Sequence, residues 1–353
     1  MVKPIPSPFR VIDKPYVLWS YEPSSENMEF LESIDYEFYE RTVKTAFCDK
    51  DGGPSFEPDT TEARKDVSSH ARLIWNHGLE TLVSLLGAYV QAPHAVHGYV
   101  LKCQNEDCRR IAQFLLSGNI PSSHCLRRSD FDFPAFVRGI HARTPWINDE
   151  QCMTNLSRAL RDLLAAYDRD DHRGEYNSIK HGLRASHGRS AIAIGIQEAE
   201  GIPAPPEAME MLSDCRDGSH FLAIRTFDKL TKQERRQQFS LQQCSVGWSL
   251  EKTLLDIQLI SCLIGNIVGA LKVAAGAPAG TVQFFRPEVD EAWWQAYFDE
   301  QSPAIYNLAF AANIELPQKI ESAERQASSL YRKQAQTRLK TEEQPDDSQA
   351  DTV

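Results

Sequence analysis

The chain has 353 residues, 42% of them hydrophobic and 25% charged, and a formal net charge of −11. That length and composition suit a globular protein of one large domain or two, with room for a sizeable core. The acidic balance argues against a protein that coats nucleic acid nonspecifically, because that mode needs clustered Lys and Arg to displace counterions, but it leaves room for a local basic site.

Residues 1–19 carry Pro4, Pro6, Pro8 and Pro15 without a continuous apolar run, so they read as neither a secretion signal nor a membrane span, and a cytoplasmic location is expected. A helix over 26–45 and a turn at 49–54 follow. The pattern strengthens over 62–91, where Leu79, Leu82, Val83, Leu86 and Val90 recur at helical spacing before Pro93. A helix over 106–117 closes at Gly118, and a loop rich in Pro, Ser, Asp and Arg comes next. Asn148 or Asp149 then caps a helix to Tyr167 with Met153, Leu156, Leu160, Leu163 and Leu164 on one stripe. A charged turn at 168–171 leads to a second helix, and the two read as an antiparallel pair.

After Gly188 the period changes to two, which predicts strands over 191–196, 220–227 and 238–246, with a stiff, proline-rich loop at 201–206. Ser249 caps a long apolar helix to Ala275, ended by Gly276 and Pro278. Its uncharged stretch, 257–271, is about 15 residues, short of the roughly 20 that a bilayer helix needs, which predicts a buried core helix and no membrane. Short helices are expected over 289–298, with Trp293 and Trp294, and over 304–312, then a mixed-charge helix over 318–340. The segment 342–353, with five acids and no base, is expected to be disordered. The fold class predicted is mainly α, a helical bundle with a small antiparallel β insert. Its parts are an irregular or helical segment 1–60, a helical domain 61–315 with the insert at 190–248, a C-terminal helix 316–340 and an acidic tail 341–353.

Eight cysteines, at 48, 103, 108, 125, 152, 215, 244 and 262, are scattered through a chain far larger than a disulfide scaffold, which fits reduced thiols. Cys103, Cys108, His124 and Cys125 offer four zinc-ligand types, but adjacent His-Cys side chains diverge, so no metal and no cofactor are expected. The alternative is that Cys108 packs with Ile111 and Leu115 as a small core hydrophobe. A phosphate-cradling glycine loop, a His-Glu-x-x-His pair and a nucleophile elbow are all missing from the sequence.

The most informative stretch is 173–182, Arg-Gly-Glu-Tyr-Asn-Ser-Ile-Lys-His-Gly, which stacks Arg173, Asn177 and His181 on one helical face. Such a face can converge on a phosphate or a polar partner. Equally, Arg173, Lys180 and Arg184 can solvate a surface while Tyr176, Ile179 and Leu183 face the core. On the 62–91 helix, His70, His77 and Glu80 share roughly one face, and a histidine beside a carboxylate can act as a general base or simply hydrogen-bond to backbone.

The region 148–184 resembles the HEPN superfamily of all-α bundles found in prokaryotic toxins, defence proteins and nucleotide-handling systems. In its nuclease members an Arg, a polar residue and a His near the start of a late helix cut RNA without metal, two such sites meeting across a dimer. Asn177 and His181 match the polar residue and the histidine, and Tyr176 stands where the arginine is expected. The resemblance implies His181 as acid or base and Asn177 as its positioner. Arg173, Lys180 and Arg184 are then the phosphate binders that stand in for the missing charge. Its partners are RNA or a nucleotide, and a second copy of the chain. A noncatalytic reading uses the same helices as a scaffold for a protein partner, with the insert and Trp293-Trp294 as contact surface. An RNA face would need Arg127, Arg128, Arg143 or Arg158 to join the motif in the fold.

Overall fold

A computed structural model describes residues 9–11, 14–17, 24–47, 61–118, 132–181, 184–196, 199, 202, 204–226, 239–287, 290–299 and 312–313. The turn at 49–54, the loop with His124, Cys125, Arg127 and Arg128, the 318–340 helix and the acidic tail lie outside these residues. So do Gly182, Leu183 and most of the expected 304–312 helix. Ala312 belongs instead to a two-residue strand.

The protein is mainly helical with short antiparallel strands, as its periodicities predict. A hairpin of β1 (Phe9–Val11) and β2 (Lys14–Val17) precedes α1 (Ser24–Ser33) and α2 (Phe38–Phe47). Where one helix was expected over 26–45 there are two, divided by a turn at Tyr36 and Glu37. Then come α3 (Thr61–Gln91), α4 (Val96–Lys102), α5 (Asn105–Ser117), α6 (Phe133–Ile140), α7 (Glu150–Asp168) and α8 (Asp170–Lys180). Strands β3 (Ala185–His187), β4 (Ser190–Ile194), β5 (Glu210–Cys215), β6 (Asp217–Thr226) and β7 (Phe239–Trp248) form the insert. The chain closes with α9 (Leu250–Ala274), α10 (Glu291–Asp299) and β8 (Ala312–Asn313).

The chain divides into a larger unit, residues 1–221 with 244–308, and a smaller one, 222–243 with 309–353. In the larger unit, α3 and α9 pack along one another and form the core. Leu79, Leu82, Val83, Leu86 and Val90 of α3 are buried against a helix whose own residues are buried almost all round, from Leu250 to Leu271. Gly78 of α3 permits a close approach, since a Cβ there would meet Ile260 of α9 and Tyr39 of α2 at 3.0–3.2 Å. Among the described residues α9 alone is long and apolar enough to cross a membrane, and most of it is buried inside the protein.

The caps follow the sequence closely. Asp149 accepts from the Cys152 amide to start α7, Ser249 accepts from the Lys252 amide to start α9, and Gly118 closes α5 at φ 73°. One cap comes from far away: Asn27 of α1 accepts from the Val96 amide at 2.6 Å and starts α4, a helix whose sequence carries no local cap. In the insert, β3 pairs antiparallel with β6, and β4 with β5. Within the smaller unit Ser240 and Leu241 of β7 pair with Asn313 and Ala312 of β8.

Candidate functional site

The face of α8 that was read as the site points mostly outward, and its opposite face builds a buried polar centre. His181 ends the helix as its C-cap, exposed, with its amide on the Asn177 carbonyl at 3.1 Å. Arg173 is exposed and ion-paired with Glu106 of α5 at 3.5 Å. Lys180 lies 3.9 Å from Glu80 and over the Tyr176 ring, and Arg184 is exposed. Tyr176 is buried and donates to Glu80 at 2.6 Å. Burial and then that carboxylate raise its phenol well above the ordinary value. The fold therefore gathers Tyr176, Lys180 and Glu80. His77 faces Tyr39 instead, Oη to Nδ1 3.2 Å, and His70 is exposed. Arg143 is exposed, and Arg158 stacks on Phe298 of α10 at 3.9 Å. Of the tryptophan pair Trp294 is buried and Trp293 half-buried.

The polar centre begins on α3, where Arg64, Ser68 and Arg72 recur every four residues on one buried face. Arg72 grips Glu175 of α8 with two bonds, Nε to Oε1 2.9 Å and a terminal nitrogen to Oε2 2.7 Å. Ser219 of β6 donates to Oε1 at 2.6 Å, and Trp248 of β7 donates to Ser219 at 3.1 Å. The Arg72 guanidinium also lies 4.0 Å from the Trp75 ring centre. Desolvating two such ions costs several kcal/mol each, and this fork of charge-assisted bonds and ring contacts is what offsets it. Burial would raise the Glu175 carboxyl, yet Arg72 and Ser219 together hold it below its ordinary range. Two turns earlier Arg64 grips Asp217 of β6 in the same way, at 3.1 and 2.7 Å, and Ser68 donates to Asp217 at 2.9 Å.

A cavity of about 290 Å³ opens beside this centre, with Arg72 and Trp75 of α3, Asp162 of α7, Arg169 at the N-cap of α8, His172 and Glu175 of α8, Trp248 of β7, Lys252 and Asp256 of α9 and Tyr297 of α10 among its walls. Asp256 is the hub of its far side: it accepts from Trp75 Nε1 at 3.0 Å, from Tyr297 Oη at 2.9 Å and from Lys252 Nζ at 2.5 Å. Lys252 Nζ lies 3.4 Å from the centre of the Tyr297 ring. His172 sits edge-on to Trp75 and stacked on Tyr176. Asp162 keeps contact with solvent at the rim, and the wall behind it raises its carboxyl above the ordinary value, with Arg158 and Lys252 opposing. Aromatic faces, cations and carboxylates thus meet in one recess, which is the composition of a site for a small polar, planar ligand.

Sequence reasoning missed this centre. Glu175 draws no attention inside the 173–182 motif, and Asp256 stands in the sequence only as the residue just ahead of the uncharged stretch 257–271. The four-residue recurrence of Arg64, Ser68 and Arg72 ahead of Trp75 was the available signal, because a basic stripe continuous with a core face needs buried acidic partners. Among the described residues no three metal-ligand side chains gather. Cys108 is buried with Ile111 and Leu115, and Cys103 lies 3.3 Å from it, sulfur to sulfur. Compared with family models, with curated proteins and with solved structures, the chain finds no match.

Proposed function

We propose that this is a HEPN-like helical protein with a nucleotide-linked role, which binds a nucleoside-class ligand in the 290 Å³ cavity and does not cut RNA at α8. One observation carries the reading: the cavity sets the rings of Trp75, Trp248 and Tyr297 beside Lys252, Arg169 and Asp162. Rings offer faces on which a base can lie, the Asp162 carboxylate accepts from a base edge, and the Arg169 guanidinium suits phosphate. Calorimetric titration with nucleosides and nucleoside monophosphates tests it. Saturable binding that Asp162→Asn weakens without unfolding the protein supports the reading, and no binding by any of them overturns it.

A second reading, metal-independent RNA cleavage, is favoured by the exposure of His181 one helical turn beyond Asn177. Against it, Tyr176 is turned onto Glu80, and Arg173 and Lys180 each lie near a carboxylate that competes with phosphate. Cleavage in the presence of a chelator that is lost in both His181→Ala and Asn177→Ala would establish it. Because that chemistry needs two copies, a monomer by light scattering would remove it.

A further inference from the structure

A second recess, of about 270 Å³, lies elsewhere in the larger unit, between α1, α3 and the junction of α4 with α5. Its wall includes Cys103 and Cys108, with Ser84, Thr81, Asn105 and Glu80. Cys103 is the residue that ends α4, and Cys108 lies in the first turn of α5, so a short link holds the two thiols together. Their sulfurs are 3.3 Å apart, and Ser84 Oγ is 3.3 Å from the Cys108 sulfur. A disulfide bond is about 2.05 Å long, so joining the two closes a gap of about 1.25 Å between the sulfurs across a five-residue step.

We propose that Cys103 and Cys108 form a reversible thiol-oxidation site, in which a hydroperoxide entering the recess converts the pair to an intramolecular disulfide. Cys108 is the attacking sulfur. In this arrangement the Cys103 thiol is the donor across the 3.3 Å contact and lowers the Cys108 thiol; burial works the other way, and the Ser84 and Tyr167 hydroxyls assist. Cys103, which gives that hydrogen bond, is raised and keeps its proton. Glu80 on the same wall opposes the anion, and the three donors outweigh it.

The Cys108 thiolate attacks one oxygen of the hydroperoxide. An S–O bond forms, the O–O bond breaks, and the alkoxide leaves and takes a proton from water. Cys103 then attacks the sulfenic sulfur: the S–S bond forms, the S–O bond breaks, and the hydroxide leaves as water with the Cys103 proton. Two thiols and one hydroperoxide give one disulfide, one alcohol or water, and one water. A dithiol reductant reverses the change by thiol–disulfide exchange.

The test is to treat the full chain with stoichiometric hydrogen peroxide, block remaining thiols and map peptides without reduction. The expected result is a 103–108 disulfide in monomeric protein, formed at least about tenfold faster than oxidation of any other described cysteine and reversed by dithiothreitol. Cys262, which burial pushes up to about 12, serves as the inert internal standard. In Cys103→Ser the reaction stops at a sulfenic acid on Cys108 that dimedone traps, and the wild-type map stands even if that variant does not fold. Oxidation spread evenly over the cysteines, or a disulfide joining different residues, overturns the proposal.

Discussion

Arg72 and Glu175, 103 residues apart in the chain, meet fork to fork inside the protein and tie the middle of α3 to the inner face of α8. Glu175 is fully buried and Arg72 nearly so, so each is the other's main neutralising charge. Replacing one partner alone leaves the other as an uncompensated buried ion. Glu175→Gln is therefore expected to cost about 3–5 kcal/mol in denaturant unfolding. Replacing both residues by apolar ones of similar volume should return most of that loss, and a double variant no better than the single would show that the pair is not the unit.

Acid should weaken the fold in two stages. Burial depresses the His141 and His187 imidazoles below their ordinary 6.5, so the folded state holds them neutral while the unfolded chain binds protons first. Their contribution is present above the unfolded value and is lost as pH falls from it towards the folded values. Glu175, also lowered, adds a further loss below the ordinary carboxylate value of 4.5. Urea midpoints should fall between about pH 7 and 5, where a protein without such histidines is flat.

Asp162 has the opposite sign. Its carboxyl is raised above 3.8 by the wall behind it, so its stabilising contribution belongs to the protonated form and is lost as pH rises through the folded value. Asp162→Asn should melt no lower than wild type at neutral pH, and any gain should vanish in acid. A variant that melts lower at neutral pH would mean that the carboxylate is held by a partner that stabilises its charge.

Gly265 lies in the middle of α9, where alanine would be favoured by about 1 kcal/mol on propensity alone. A Cβ there would meet the Phe285 ring at 2.7 and 3.0 Å and Tyr36 at 3.2 Å. Overpacking of that kind costs about 1–3 kcal/mol, so Gly265→Ala should lower the melting temperature, and Phe285→Leu in the same chain should restore part of it. A stabilised single variant would mean that the segment shifts away freely.

Asn266 fixes that segment. Its side chain accepts from the Phe285 amide at 2.7 Å and donates to the Phe285 carbonyl at 2.8 Å, and His141 lies 3.4 Å away. With Asn266→Leu the Phe285 amide loses its partner and the Phe285 carbonyl keeps only the Cys262 thiol at 3.3 Å, for an expected cost of about 1–3 kcal/mol in unfolding free energy. A loss under half of that would show that water replaces the amide.

The helices were legible because their information is local. The apolar stripes of α3 and α7, the caps at Asp149 and Ser249 and the left-handed Gly118 depend on residues within a turn or two of one another. The change to a two-residue period likewise announced the insert, although not its division into separate β4-β5 and β3-β6 pairings. Helix α4 was illegible because its cap, Asn27, lies 69 residues from Val96.

By itself the sequence determined a mainly helical chain with a short β insert, and it marked α8 as unusual for its polar residues. Only the tertiary structure decided which of those residues lie inside. Glu175 and Tyr176 turn to the core, while Arg173 and His181 stay in solvent. The physical reason is that a buried charge is tolerated only where its counter-charge is also placed. For Glu175 that is Arg72 on α3 with Ser219 on β6, and for Asp256 it is Lys252 with the Trp75 and Tyr297 donors. Helical spacing could put Arg64, Ser68 and Arg72 on one face, but the acids that make that face an interior one come from β6 and α8, and only the fold brings them there.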